Sequence, residues 1–136
     1  MQEIKVTIAL DPVNDGAEIT EIKIKRKDEG ALIIGTNGET RIADACEAQR
    51  ILDMLSEVGH GEYLGNTDYI AIFNGNRIIN FGTGKCFVGS ALIMKYSDGG
   101  LSLLVGDEFK EAAAEFESRL ITLVGDGQEF SALEIL

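Results

Sequence analysis

Tryptophan is absent from this chain, proline occurs once, at Pro12, histidine once, at His60, and cysteine twice, at Cys46 and Cys86. No Pro-rich or Ser-rich linker divides the chain, so residues 1–136 are expected to form a single domain. A globular chain of this length buries roughly two-thirds of its unfolded surface and needs neither a metal nor a disulfide to fold. The two cysteines lie 40 positions apart with no Cys or His nearby. That spacing lacks a zinc-site pattern, and each thiol reads as a small buried hydrophobe. Long apolar runs are missing too. The longest candidate, Phe87 to Met94, is broken by Gly89 and Ser90 and falls short of the ~20 residues of a membrane-crossing helix. Met1 to Leu10 alternates polar with apolar residues, where a signal peptide needs a basic start and a continuous apolar core. The expected compartment is the cytoplasm.

Basic residues are also scarce. Twelve Lys and Arg stand against 23 Asp and Glu, a net charge of −11. Nucleic-acid binding needs a basic surface to displace counterions, and an anionic membrane face attracts basic segments, so neither partner is expected. The acidity fits solubility, a basic protein partner, or imitation of nucleic acid. An imitation would set carboxylates at close, regular spacing over one exposed face; here they are dispersed along the chain.

The apolar residues that are present have clear periods. Ile4, Val6, Ile8 and Leu10 alternate with polar residues, as do Ile19, Ile22 and Ile24 after the turn-rich segment Asp11 to Gly16, which predicts two half-buried strands. With Ala31 to Ile34 they suggest an antiparallel meander. Asp44 and Glu47 have capping-box spacing ahead of Ala45, Ala48, Ile51, Leu52, Leu55 and Val58, a helical stripe ended at Gly59. A second stripe, Phe109, Ala112, Ala113, Phe116 and Leu120, predicts a helix from about Asp107 to Arg119. Residues 60–67 read as a Gly-rich loop. Asn74-Gly75 predicts a two-residue hairpin turn between Phe73 and Asn76. Cys86 to Tyr96 reads as one apolar strand, turned back by Ser97 to Gly100 into Leu101 to Val105. Gly125-Asp126-Gly127 predicts a final hairpin. The expected class is α+β: a mostly antiparallel sheet with two amphipathic helices packed on it.

Catalytic patterns are weak. Gly82-Thr83-Gly84-Lys85 lacks the earlier glycine of a phosphate-binding loop, where Ile79 stands, and the hydroxyl after the lysine, where Cys86 stands. It also precedes a strand, so no helix N-terminus would face a phosphate. A zinc site or Ser-His-Asp triad would have to use His60, which sits between two glycines without a local ligand pattern. No catalytic residue, metal or cofactor is expected. Glu108, Glu111 and Glu115 share one side of the second helix by their spacing and form a candidate docking surface for a basic partner. The competing candidate is a ligand site made by the Gly-rich segments 59–67 and 82–85, with His60, Glu62, Tyr63 and Lys85 at its rim.

Four segments carry a resemblance: Asn76-Arg77-Ile78-Ile79; Val88 to Met94; Asp98-Gly99-Gly100-Leu101-Ser102-Leu103; and Asp107-Glu108-Phe109. In that order the chain resembles the C-terminal half of a family of small uncharacterised proteins of phages and other mobile elements. The resemblance covers residues 69–118, and the N-terminal half departs from the pattern. It implies an accessory or counter-defence role and no particular activity.

The leading expectation is therefore a non-enzymatic protein-binding accessory protein, with a ligand or enzymatic site in the Gly-rich loops as the alternative. Because neither cysteine acts as a staple, the melting temperature is expected to be the same with and without reductant. A large fall on adding dithiothreitol, followed by circular dichroism, would refute that.

Overall fold

The structure, a computed structural model, describes the backbone of residues 4–8 and 19–24 and, with their side chains, residues 29–135. The alternating N-terminal segments form β1 (Ile4–Ile8) and β2 (Ile19–Ile24), paired antiparallel with an irregularity between Val6 and Ile8. The expected turn at residues 11–16 lies outside the described residues.

A seven-stranded antiparallel sheet forms the centre of the remainder. It contains β3 (Glu29–Gly35), β4 (Thr40–Ala43), β5 (Gly59–Tyr63), β6 (Tyr69–Asn74), β9 (Ser90–Ser97), β10 (Gly100–Ser102) and β11 (Leu104–Val105). β9 lies between β3 and β6, and β5 flanks β6. Both β4 and β11 pair with β3, while β10 folds back on β9. A second, four-stranded sheet contains β7 (Ile78–Phe81), β8 (Gly84–Phe87), β12 (Leu120–Gly125) and β13 (Gln128–Ile135), in the order β12-β13-β8-β7. The helices are α1 (Ala45–Met54) and α2 (Glu108–Ser118).

Period-two patterning gives the large sheet two apolar faces. Leu32, Ile34, Ala71, Phe73, Ala91 and Ile93 point into the main core, where they meet Phe87 and Leu133 of the second sheet and Ala112 and Phe116 of α2. The alternate residues Ala31, Ile33, Ile72, Leu92 and Met94 face α1 through Ala48, Ile51 and Leu52. Central strands buried on both faces read as nearly continuous apolar runs, as Ala31–Ile34 and Ala91–Met94 do.

This arrangement corrects the expected α+β class. Strand outweighs helix by 53% to 22%, and the protein is a β-rich fold of two packed sheets with two short helices. The helices are amphipathic, but α1 fully buries only Ala48, and α2 only Ala112 and Phe116. Hydrophobic period identifies strands without saying how many sheets they make, and the second sheet's inner face supplies much of what helices were expected to cover.

The largest local correction is at Asn74-Gly75. The Asn74 side chain accepts the Asn76 N–H at 2.8 Å, and Gly75–Arg77 forms a 3₁₀ turn. Gly75 has no positive φ. A side chain that bonds its own backbone two residues on competes with the two-residue hairpin, so the chain leaves the large sheet instead of reversing within it. β6 pairs with β5 and β9, and β7 with β8. Tight turns lie elsewhere. Asp98-Gly99 and Asp126-Gly127 have positive φ at both positions, the signature of type I′ hairpins. Gly82-Thr83 joins β7 to β8.

Three further expectations change. Residues 59–63 are not loop but edge strand β5, paired with β6 from Gly59↔Asn74 to Tyr63↔Ile70. The meander stops after one hairpin, because β3 pairs with β4, β9 and β11. The run from Cys86 to Tyr96 is two strands in different sheets, separated at Val88-Gly89. The second helix keeps its expected extent, whereas α1 ends at Met54 with Leu55 as its C-cap, and Gly59 opens β5 instead of closing the helix. Asp44 caps α1 by accepting the Glu47 N–H at 2.8 Å, and the final hairpin forms as expected from β12 and β13.

Gly89 is the point where the chain returns to the large sheet. Its φ is +146°, a Cβ there would lie 3.0 Å from the Phe87 ring, and its N–H and C=O both bond Thr36. Only glycine is at ease in that backbone region. Gly89→Ala is expected to destabilise the protein by about 1–3 kcal/mol, seen as a lower urea midpoint with an unchanged slope.

Candidate functional site

Two acids on the acidic face of α2 bond side chains of the large sheet. The Glu108 carboxylate accepts Lys95 Nζ at 2.6 Å and the Val105 N–H at 2.9 Å. Asp107, at the N-cap, makes no side-chain cap bond, so Glu108 supplies the carboxylate next to the helix N-terminus, where negative charge is favoured. Glu111 accepts the Tyr69 hydroxyl at 2.5 Å. Burial first, and this bond second, push the Tyr69 phenol well above its ordinary range. Glu115 is half-buried, and among the described residues its carboxylate has no hydrogen-bond or ion-pair partner. Two of the three docking candidates therefore hold α2 against the sheet.

At the other end of α2, Arg119 is 12% exposed. It donates to the Tyr63 carbonyl at 3.1 Å and lies 3.9 Å from Glu62. Glu62 in turn meets His60 Nε2 at 3.2 Å. These contacts follow from β5: residues 60 and 62 share its inward side, so the His60 ring packs at a tilt against Phe73, with centroids 5.3 Å apart. Tyr63 points the other way and meets Tyr96 edge-on at 6.4 Å. Lys85, expected on the same rim, stands on β8 in the other sheet, opposite Asn80 and Ile135. The structure brings His60 and Glu62 together and separates them from Lys85.

The cysteines divide as well. Cys86 is fully buried, and burial pushes its thiol upward. Cys46 is exposed on α1, contrary to expectation, because it falls off the stripe that contains Ala48. No group of three or more His, Cys, Asp or Glu among the described residues could hold a metal ion.

A concavity lies elsewhere, where α1 meets the end of the large sheet at Phe73–Asn74 and Gly89–Leu92, and it reaches Phe87 of the second sheet. It is a cleft of about 820 Å³. Ile33, Ile72 and Leu92, from three adjacent strands, line its floor, and Ile51 and Leu55 of α1 line its wall. Sequence accounts for its position. A single residue, Asp44, links β4 to α1, which keeps the start of the helix beside the strand. There Ala31, Ala43 and Ala48 pack together, and small side chains permit close approach. Further along α1 the larger Ile51 and Leu55 border the open space.

The rim is polar: Glu39, Thr40, Arg41, Asn74, Arg77 and Ser90. Arg41 is engaged twice by Glu47, at 2.8 and 2.7 Å. That hydrogen bond, the largest cause, outweighs desolvation and, with the smaller effect of the partner's charge, raises the Arg41 guanidinium and lowers the Glu47 carboxyl. Arg77 is exposed on the 3₁₀ turn and has no ion-pair partner among the described residues. None of the six polar rim residues is a site candidate from sequence. They come from separate segments, and the one local signal among them, Asn74 as a turn former, serves a 3₁₀ turn instead of a hairpin.

No family model, curated protein or solved structure matches the chain.

Glu108 has a measurable signature. Burial raises its carboxyl, but the Lys95 hydrogen bond, the Val105 N–H and the lysine's charge outweigh it, leaving the group below its ordinary value of 4.5. A carboxyl depressed on folding stabilises the fold above the ordinary value, and the gain fades as pH falls through the lower folded value. Glu108→Gln is expected to cost about 1–2 kcal/mol at pH 7. The gap to wild type should close as the medium is acidified below pH 4.5. Urea titrations at pH 7 and in acid check both; a pH-independent gap would remove the ionic role.

Proposed function

We propose that this protein is a non-enzymatic binding domain and that its binding site is the cleft between α1 and the large sheet. One observation carries the reading. Ligand sites are concave and mostly apolar with a few polar groups placed at the edge, and occupy about 300–1,000 Å³. The cleft has that size, an aliphatic floor and wall, and a polar rim. This moves the small-molecule alternative from the Gly-rich segments 59–67 and 82–85 to another face. Those segments supply an edge strand and a hairpin turn, and His60, Glu62, Tyr63 and Lys85 do not line the cleft.

A docking surface on α2 has less support, because Glu108 and Glu111 would have to leave Lys95 and Tyr69 to meet a partner. Free thiols at Cys46 and Cys86 favour the reducing cytoplasm. No helix among the described residues is long and apolar enough to cross a membrane. The resemblance over residues 69–118 adds an accessory role in a phage or mobile element to the proposal.

A neutral environment-sensitive dye, N-phenyl-1-naphthylamine, tests the site. Its emission is expected to rise on wild type and to fall several-fold with Leu55→Asn, which removes part of the apolar wall at a helix end. Val124→Ser with Phe130→Ser removes exposed apolar surface from the β12–β13 hairpin and is expected to leave the signal unchanged. Loss of signal with the hairpin variant, and none with Leu55→Asn, would place the dye elsewhere and overturn the proposal.

A further inference from the structure

We infer that the cleft selects an amphipathic carboxylate, an aliphatic chain ending in an acid group, and that Arg77 is the residue that binds the acid. The inference rests on the cleft being the binding site and adds the chemistry of its ligand. The protein as a whole is strongly acidic, with 23 acidic residues and five arginines, yet two of those arginines, Arg41 and Arg77, line this one cleft. They are not equivalent. Both carboxylate oxygens of Glu47 meet the two terminal nitrogens of Arg41, so that charge is already compensated. Arg77 has no such carboxylate among the described residues.

The neighbouring polar groups favour the same ligand. The Asn74 side-chain oxygen accepts the Asn76 N–H, which turns it toward the backbone and leaves both amide N–H donors free, among the described residues, to bond a ligand. Ser90, on the same rim, is exposed and carries a hydroxyl that can donate. A guanidinium, an amide and a hydroxyl present donors, and a carboxylate has only acceptors. Glu39 is the single acid of the rim, and it works against a ligand with more than one negative charge. Below the rim, Ile33, Ile51, Leu55, Ile72 and Leu92 offer aliphatic surface and no side-chain hydrogen-bonding group. A cation would meet Arg77, and a fully polar anion would leave the apolar floor wet. A chain with one terminal carboxylate satisfies both ends.

Decanoate and 1-decanol, which share a chain length and differ in the acid group, separate the parts of this inference. Both are titrated calorimetrically into the full chain below the micelle threshold of decanoate. Decanoate is expected to bind about tenfold or more tightly than decanol, since a charge-assisted contact is the difference, and to weaken with added salt. Arg77→Gln should reduce decanoate binding by about the same factor and leave decanol unchanged, while Arg77→Lys restores part of it. Arg77 is exposed on a surface turn, and equal melting temperatures would show that both variants fold. Equal binding of acid and alcohol, or indifference to Arg77→Gln, would overturn the carboxylate assignment and leave the cleft standing as an apolar site. Binding of neither compound would count against the cleft itself as well as against the carboxylate.

Discussion

An aromatic stack lies at the centre of the contact between the two larger sheets. Phe73 of β6 and Phe87 of β8 stack with ring centroids 4.0 Å apart and planes 25° from parallel, and each is about 1% exposed. A pair of that kind contributes beyond the area it buries. Its larger consequence is geometric. The rings fix where the four-stranded sheet sits over the large one, and the remaining core residues, from Ile34 and Ile93 to Leu133 and Phe116, fill the space on that side. The connections obey the same constraint. The 3₁₀ turn after Asn74 carries the chain out of the large sheet, and Gly89 carries it back just after Phe87. The β7–β8 hairpin is thus an excursion between strands β6 and β9 that remain direct neighbours.

Electrostatics then locate α2. Its first turn is tied through Glu108 to Lys95 and through Glu111 to Tyr69, and its end through Arg119 to the carbonyl of Tyr63. Lys95 and Tyr69 are themselves cross-strand partners of β9 and β6. Two acids one helical turn apart therefore meet two neighbouring groups on the sheet. An acidic helix that looks self-repelling in isolation is stabilised by the surface it covers.

The opposite face is more open, and the cleft follows from that asymmetry. α2 and the second sheet together seal the main core. α1 alone covers the other apolar face, with ten residues, and fully buries only Ala48. Ile33, Ile72 and Leu92 must be apolar for the sheet to pack on both sides, yet the short helix leaves them lining a space beside Ile51 and Leu55. The same residues that build the sheet thus provide an apolar floor, and the turn that breaks the expected hairpin brings Arg77 to its edge.

Local chemistry was readable in the chain by itself. The Asp44 cap with its bond to Glu47, the extent of α2, the Asp98-Gly99 and Asp126-Gly127 turns and the alternation in β1 and β2 all depend on residues within a few positions of one another. The strands of the core were visible as apolar runs, because burial on both faces removes polar alternation. Their partners were not visible. Nothing within Cys86–Tyr96 says that its two halves belong to different sheets, since that depends on Phe87 finding Phe73 and on Gly89 bonding Thr36. Cys46 lies exposed on α1, and Glu108 and Glu111 of α2 bond side chains of the large sheet, outcomes set by which surface each helix meets. Arg77, Asn74 and Ser90 converge only after the strand order is chosen. Pattern along a chain reports local conformation and which residues prefer burial; the tertiary structure decides what they are buried against, and a binding cleft is made of that second kind of information.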